Sequence, residues 1–282
     1  MIGKSEALKK IKGGLIVSCQ AAPSPSLEDP DILAAIAEAV VTGGAVGIRA
    51  DGPENVRAIR ERTKVPVIGI WKRTFPDSEV FITPRLKEVI AVADADAEVV
   101  ALDATSRPRP DGETLEMIVQ EAKAHCTSLL MADISNFDEG VRAAELGFDL
   151  VSTTLSGYVG DSTETLKGPD LDLVERLSGH LGDSAAVVAE GGISTPDQAA
   201  EAIDRGAFCV VVGTAITRPQ SLGSGIQKCS AHKSGSSLCG KRSDGNPARL
   251  WLPRQRHSLC PSIRLWPASQ SHFRPPRLRP RA

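Results

Sequence analysis

Residues 186–219 read AVVAEGGISTPDQAAEAIDRGAFCVVVGTAITRP, and this stretch decides the fold. Two short apolar runs, 186–190 and 208–213, lack polar alternation, as parallel strands covered on the outside do. Pro196 opens a segment of helical period between them that runs to residue 205, and a proline suits a first helical turn. Gly206 follows, where a left-handed cap commonly needs glycine. The first run ends in Glu190-Gly191-Gly192 and the second in Gly213-Thr214. Strand, helix and strand, with polar or glycine turns after each strand, make one unit of an α/β fold.

The same unit recurs towards the N-terminus. Further strands are read at 14–19, 45–49, 66–71, 98–103, 128–133 and 149–153. Helical patterns lie between them at 31–42, 53–63, 84–93, 112–124, 137–146 and 170–178, and Gly147 caps one of these as Gly206 caps another. Eight strands with seven intervening helices predict a (β/α)8 TIM barrel; an open doubly wound sheet is the competing fold. The eighth helix is missing or replaced. After Thr214–Arg218 an amphipathic helix is expected, and Pro219 instead introduces a Ser-, Gly-, Pro- and Arg-rich stretch.

Composition divides the chain at that point. Overall it is 41% hydrophobic and 24% charged, with a formal net charge of −2. Residues 221–282 hold twelve Lys and Arg against one acid, Asp244, so the tail carries +11 and residues 1–220 carry −13. The domain reading is therefore a catalytic barrel over 1–220 and a basic tail over 221–282, expected to lack packed structure. A basic arm for nucleic acid is the functional alternative for the tail, but arginines scattered among prolines build no defined site. No apolar run reaches the ~18 residues of a membrane span, and the basic N-terminus lacks a secretion signal's apolar core, so a cytoplasmic address is expected. Cys19, Cys126 and Cys209 sit in apolar runs and Cys229, Cys239 and Cys260 in the tail, without any C-x-x-C pair, so neither disulfides nor structural zinc are expected.

Barrel chemistry gathers at the C-terminal ends of the strands. The polar residues there are Gln20, Arg49, Lys72, Asp103, Asp133 and Glu190. Each alone could be a solvated strand end or one half of an ion pair. So many charges at one mouth are costly unless they meet one another or a polar ligand. Lys72 follows the apolar strand Val67–Trp71; a lysine partly desolvated there holds its proton less firmly and can act as a base. Glu190 could share the proton transfer. By alternation Lys72 lies on the face of Ile70 and Glu190 on the face of Val188, which does not establish that both faces point inward. The turns Gly191-Gly192 and Gly213-Thr214, after strands seven and eight, suit a phosphate, with Arg218 one turn further on. No nucleotide-binding glycine motif and no histidine metal motif occur.

With these residues in place, the chain resembles the N-acetylmannosamine-6-phosphate 2-epimerases. The matching segments include IVSCQA (16–21), GGAVGIRADGPENVRAIR (43–60), PVIGIWKR (66–73), VALDAT (100–105), LLMADIS (129–135), LGFDLVSTTLSGY (146–158), AEGGISTPDQA (189–199) and VVVGTAITRP (210–219). The resemblance implies a barrel of the ribulose-phosphate-binding type. It also implies an isomerase that interconverts N-acetylmannosamine 6-phosphate and N-acetylglucosamine 6-phosphate in sialic acid catabolism. Lys72 would remove and return the C2 proton, and Glu190 would assist. Gln20, Arg49 and Asp133 would bind the sugar; Gly191, Gly192, Gly213, Thr214 and Arg218 would hold its phosphate. No metal or organic cofactor is implied. The expected partner is a small sugar phosphate, not nucleic acid or a membrane, and the resemblance leaves a homodimer open.

Three positions depart from the family pattern. Thr74 and Phe75 stand where an acid and a tyrosine are expected, and Arg85 replaces a small polar residue, so altered substrate fit is an expectation. Two other functions fit the residues. One is another phosphate barrel, an aldolase or decarboxylase using Lys72 as a Schiff base; the other is a sugar-phosphate-binding barrel without turnover.

Overall fold

The computed structural model describes residues 3–20, 27–159, 168–224 and 227. Eight parallel strands close into a barrel in chain order. They are β1 (Leu15–Cys19), β2 (Gly47–Asp51), β3 (Val67–Ile70), β4 (Val99–Asp103), β5 (Leu129–Asp133), β6 (Leu150–Ser152), β7 (Ala186–Glu190) and β8 (Cys209–Val212). Closure is made by β1 against β8, with Leu15 opposite Val210 and Val17 opposite Val212. The open sheet is thereby ruled out.

Helices α2 (Pro30–Thr42), α3 (Pro53–Arg62), α4 (Leu86–Ala93), α5 (Leu115–His125), α6 (Phe137–Glu145), α7 (Leu171–Leu181) and α8 (Pro196–Asp204) follow β1 to β7 in turn. Five of these seven start with a side-chain cap, which satisfies amides that have no intrahelical carbonyl; α3 and α4 do not. Asp29, Thr114, Asn136 and Asp170 cap α2, α5, α6 and α7. Thr195 and Gln198 form a reciprocal capping box at α8. Two expected boundaries move, the first by capping. Thr114 accepts from the amide of Met117, so α5 begins at Leu115, and 110–112 form a separate 3-10 turn. Helix α4 begins at Leu86, with Pro84 outside it. Gly147 and Gly206 take the left-handed φ angles of +79° and +98° that the sequence predicts.

Alternation along the strands sorts the core into two layers. Val17, Ile48, Val100, Ala132, Val151, Val187 and Val210 pack outwards against the helices. Ile16, Ile68, Ile70, Val99, Leu129, Leu150, Val188 and Val211 fill the barrel interior. One element is unexpected: α1 (Lys4–Ile11) precedes β1 and buries Ala7 and Ile11 in that interior layer. Ile11 reaches Gly47, the first residue of β2, so α1 stoppers the N-terminal end of the barrel. The opposite end is left for the site.

After β8 the chain forms a short helix, α9 (Thr214–Thr217), and residues 219–224 are helical again. Helical structure therefore continues past Pro219 into the first residues of the basic tail. A proline costs nothing in a first helical turn, where its missing N–H has no intrahelical acceptor anyway. The remaining tail, and with it the expectation that residues 221–282 lack packed structure, lies outside the described residues apart from 221–224 and Gln227. Among the described residues no helix is long and apolar enough to cross a membrane. Cys19, Cys126 and Cys209 are free thiols.

Candidate active site

At the C-terminal ends of the strands lies a cavity of about 690 Å³. Its wall includes Gln20 after β1, Arg49 on β2, Lys72 after β3, Thr154 after β6, Glu190 at the end of β7, and Gly213 after β8. Lys72 and Glu190 therefore do face the same space. Their alternation partners, Ile70 and Val188, are both in the interior layer, which settles the orientation that sequence left open.

At the centre is a buried guanidinium. Arg49 is 1% exposed and donates from Nη2 to Asp133 Oδ2 at 2.5 Å and from Nη1 to Asp133 Oδ1 at 3.0 Å. Nη1 also donates to Glu190 Oε2 at 2.7 Å. Burial works against the arginine charge, but Asp133 and Glu190 outweigh it and hold it protonated. Asp133, also expected among the sugar ligands, is fully buried and lies behind the cavity wall, bonded to Arg49. Placed beneath Arg49, it acts on the site through that arginine. Glu190 is pushed up to about 6 by burial and by the Asp133 charge, against the pull of Arg49, Thr154 and Lys72.

Lys72 is held from both its backbone and its tip. Its amide donates to Asp51 Oδ1 at 2.9 Å, and Nζ donates to Gln20 Oε1 at 2.5 Å. Gln20 is itself fixed, donating from Nε2 to Ser18 Oγ at 2.8 Å. Burial pushes the Lys72 ammonium below its ordinary value, and Arg49 and Arg218 push the same way, while Asp51 and Glu190 oppose. An amine bonded to a neutral amide, rather than to a carboxylate, gives up its proton more readily.

The far wall is built for close approach of backbone to ligand. Gly191 and Gly192 have φ of +106° and +70°, and a Cβ on Gly192 would lie 2.5 Å from the carbonyl of Gly168. Gly213 precedes α9, whose first amides, on Thr214 and Ala215, have no intrahelical acceptor. Thr217 ties α9 to β1 by donating to the Ser18 carbonyl at 2.8 Å. Arg218, Thr214 and Ser221 complete this wall. Turn amides at a helix start with an arginine beside them suit an anion.

Comparison with known proteins agrees with this geometry. Residues 33–229 match the family described as "Putative N-acetylmannosamine-6-phosphate epimerase". The chain belongs to the N-acetylmannosamine-6-phosphate epimerase family. It is 50% identical over 215 residues to the "Putative N-acetylmannosamine-6-phosphate 2-epimerase" of Synechococcus elongatus, covering 76% of this chain and 92% of that one. The protein of the same description from Clostridioides difficile is 48% identical over 213 residues, covering 76% and 94%. Among solved structures, the N-acetylmannosamine-6-phosphate 2-epimerase from Clostridium perfringens superposes with a TM-score of 0.75 at 44% identity, covering 79% of this chain and 95% of that one.

Within this family frame, the departures at Phe75 and Arg85 find a common explanation. The Arg85 guanidinium lies 4.4 Å over the Phe75 ring and pairs with Glu88 and Asp111 at 2.7 Å each. Neither residue lines the cavity, so the expected effect on substrate fit is not carried by direct contact. Phe81 and Ile82 of the same loop do line it. Sequence reasoning also missed Ser18, Thr154 and Tyr158. The signals were present: Ser18 shares a strand face with Gln20, and Thr154 and Tyr158 belong to the STTLSGY stretch. Asp103 is drawn aside instead, paired with Arg107 at 2.6 Å and absent from the cavity wall. Among the described residues no group of three His, Cys, Asp or Glu is placed to hold a metal ion.

Proposed function

We propose that the chain interconverts N-acetylmannosamine 6-phosphate and N-acetylglucosamine 6-phosphate by proton transfer at C2, as an N-acylglucosamine-6-phosphate 2-epimerase of amino sugar and sialic acid catabolism. One observation carries it above others. A lysine with a weakened hold on its proton and a carboxylate near neutral share one cavity wall, and a glycine-rich wall with Arg218 closes the same cavity.

The chemistry follows from those groups. The sugar opens first, because the C2 proton is acidic only beside a free C1 aldehyde. Glu190, ionised above about 6, accepts the C1 hydroxyl proton as the bond from C1 to the ring oxygen breaks, and delivers it to that departing oxygen, which restores the carboxylate. Neutral Lys72 then takes the C2 proton; the C–H electrons form a C1–C2 double bond, and negative charge moves to O1. Arg49, kept cationic by Asp133 and Glu190, stabilises that oxygen. Return of the proton to the other face of C2 inverts the centre. Gly191, Gly192, Gly213, Thr214 and Arg218 hold the phosphate, and that remote binding fixes C2 near the amine. Gln20 orients the Lys72 amine from one side.

The proposal extends to organisation. The barrel through about residue 220 does the chemistry without a cofactor and without nucleic-acid or membrane partners, in the cytoplasm. The basic tail takes no part, and a homodimer is the assembly considered.

The test is exchange of the C2 proton of N-acetylmannosamine 6-phosphate in D2O. The full chain should exchange it, and Lys72→Ala should lose roughly 10²–10⁴-fold, the usual worth of a positioned base. Exchange unchanged in Lys72→Ala, or covalent capture of substrate on Lys72 by borohydride, would overturn the reading.

A further inference from the structure

Glu190 is held twice by consecutive residues after β6. Thr153 fixes its main chain: Thr153 Oγ1 donates to the Glu190 carbonyl at 2.9 Å and accepts from the Glu190 amide at 3.1 Å. Thr154 meets its side chain, and the hydroxyl there has three oxygen neighbours. Thr154 Oγ1 lies 2.7 Å from Asp133 Oδ1, 3.1 Å from Glu190 Oε2 and 2.8 Å from Ser152 Oγ. A hydroxyl has one proton to donate. It can serve Asp133 or Glu190, but not both. The Ser152 hydroxyl, buried beside it, can donate to Thr154 Oγ1 and leave that single proton for a carboxylate.

The two carboxylates are unequal claimants. Asp133 already receives both terminal nitrogens of Arg49, whereas Glu190 receives one. All of these bonds to Glu190 fall on Oε2; among the described residues nothing donates to Oε1. The charged and titratable groups around Glu190 are Arg49 on β2, Lys72 after β3, Asp133 on β5 and the Cys209 thiol on β8. Arg49, Lys72 and Asp133 cannot change partner without moving a charge, and the neutral Cys209 thiol makes no hydrogen bond to the carboxylate among the described residues. The Thr154 hydroxyl can change partner, by a rotation about one bond.

We propose that Thr154 is a positioning residue for Glu190, donating to Oε2 while Glu190 is charged and turning to Asp133 when Glu190 takes up a proton. Arg49 Nη1 anchors Oε2 throughout, Thr154 adds a second donor there while Glu190 is charged, and Oε1 is left to face the sugar. This rests on the proposed role of Glu190 as a proton acceptor, and it adds the group that follows its charge.

Thr154→Val keeps shape and removes the hydroxyl. The charged carboxylate then loses a donor while the neutral one loses little, so protonation becomes easier. The carboxyl resonance of Glu190 in 13C-labelled protein, assigned with Glu190→Gln, should titrate about half to one pH unit higher in Thr154→Val than in the wild type. Thr154→Ser should restore it. The acidic limb of the C2-exchange profile should move up with it, with a larger loss in kcat than in KM. Should Thr154→Val fail to fold, Thr154→Ala gives the same readout. A Glu190 titration unmoved by removal of the hydroxyl, or unrestored by Thr154→Ser, overturns the inference whatever the activity. Absence of C2 exchange in the wild-type chain bears on the proposed function alone, since the carboxyl titration is read without substrate.

Discussion

Asp133→Asn separates holding Arg49 from touching substrate. Arg49 is 1% exposed and keeps its charge because Asp133, at 2.5 and 3.0 Å, and Glu190, at 2.7 Å, surround it. Removing one partner of a buried ion pair leaves an uncompensated charge and typically costs about 3–5 kcal/mol. The asparagine carbonyl still accepts one of the two bonds and Glu190 remains, so the lower end, about 3 kcal/mol, is expected. For a domain of this size that is roughly 6–12 °C in Tm. The variant also alters the pH dependence. The Asp133 charge helps to raise Glu190 to about 6, so its loss lets Glu190 fall towards the ordinary carboxylate value. The acidic limb of C2 exchange should then move to lower pH, opposite to the Thr154→Val shift. A raised carboxyl favours the folded state when protonated. Its contribution is therefore full below about 4.5 and is lost as pH rises through about 6, amounting to about 2 kcal/mol in the wild type. Asp133→Asn should flatten that decline. Urea unfolding at pH 5 and pH 8, with the exchange profile, measures both effects. A loss under 1 kcal/mol at pH 8, or a limb that moves upward, would refute the arrangement.

Two further outcomes follow from the same geometry. Gly192→Ala should lose at least about 2 kcal/mol, because a Cβ at φ +70° would press on the Gly168 carbonyl at 2.5 Å, and urea unfolding reads it directly. Gln20→Glu exchanges a neutral acceptor 2.5 Å from Lys72 Nζ for a charged one, which strengthens the hold on the proton. Exchange at C2 should therefore require higher pH than in the wild type, and a profile unchanged on its alkaline side would show that Lys72 is not the group whose deprotonation matters.

Much of this protein was legible without coordinates. The eight apolar runs, the prolines and acids at helix starts, and Gly147 and Gly206 act through local sterics and short-range hydrogen bonds, which a linear sequence displays. Hence the order of strands and the inventory Gln20, Arg49, Lys72, Glu190, Gly191, Gly192, Gly213, Thr214 and Arg218 could be written down in advance. Chain order could not reveal which polar residues touch one another. Asp133 and Asp103 look alike at strand ends, yet closure of β1 onto β8 turns one towards Arg49, 84 residues away, and leaves the other with Arg107, four away. Helix α1 was hidden because only Ala7, Leu8 and Ile11 are apolar on the side packed against the interior, and their value depends on the open barrel end they fill. Thr154 was hidden for the same kind of reason: a threonine after a strand is unremarkable until Asp133 and Glu190 arrive on either side of its hydroxyl. Backbone preference is a property of neighbours along the chain, whereas the charge state of a buried group belongs to whatever the fold brings within a few ångströms of it.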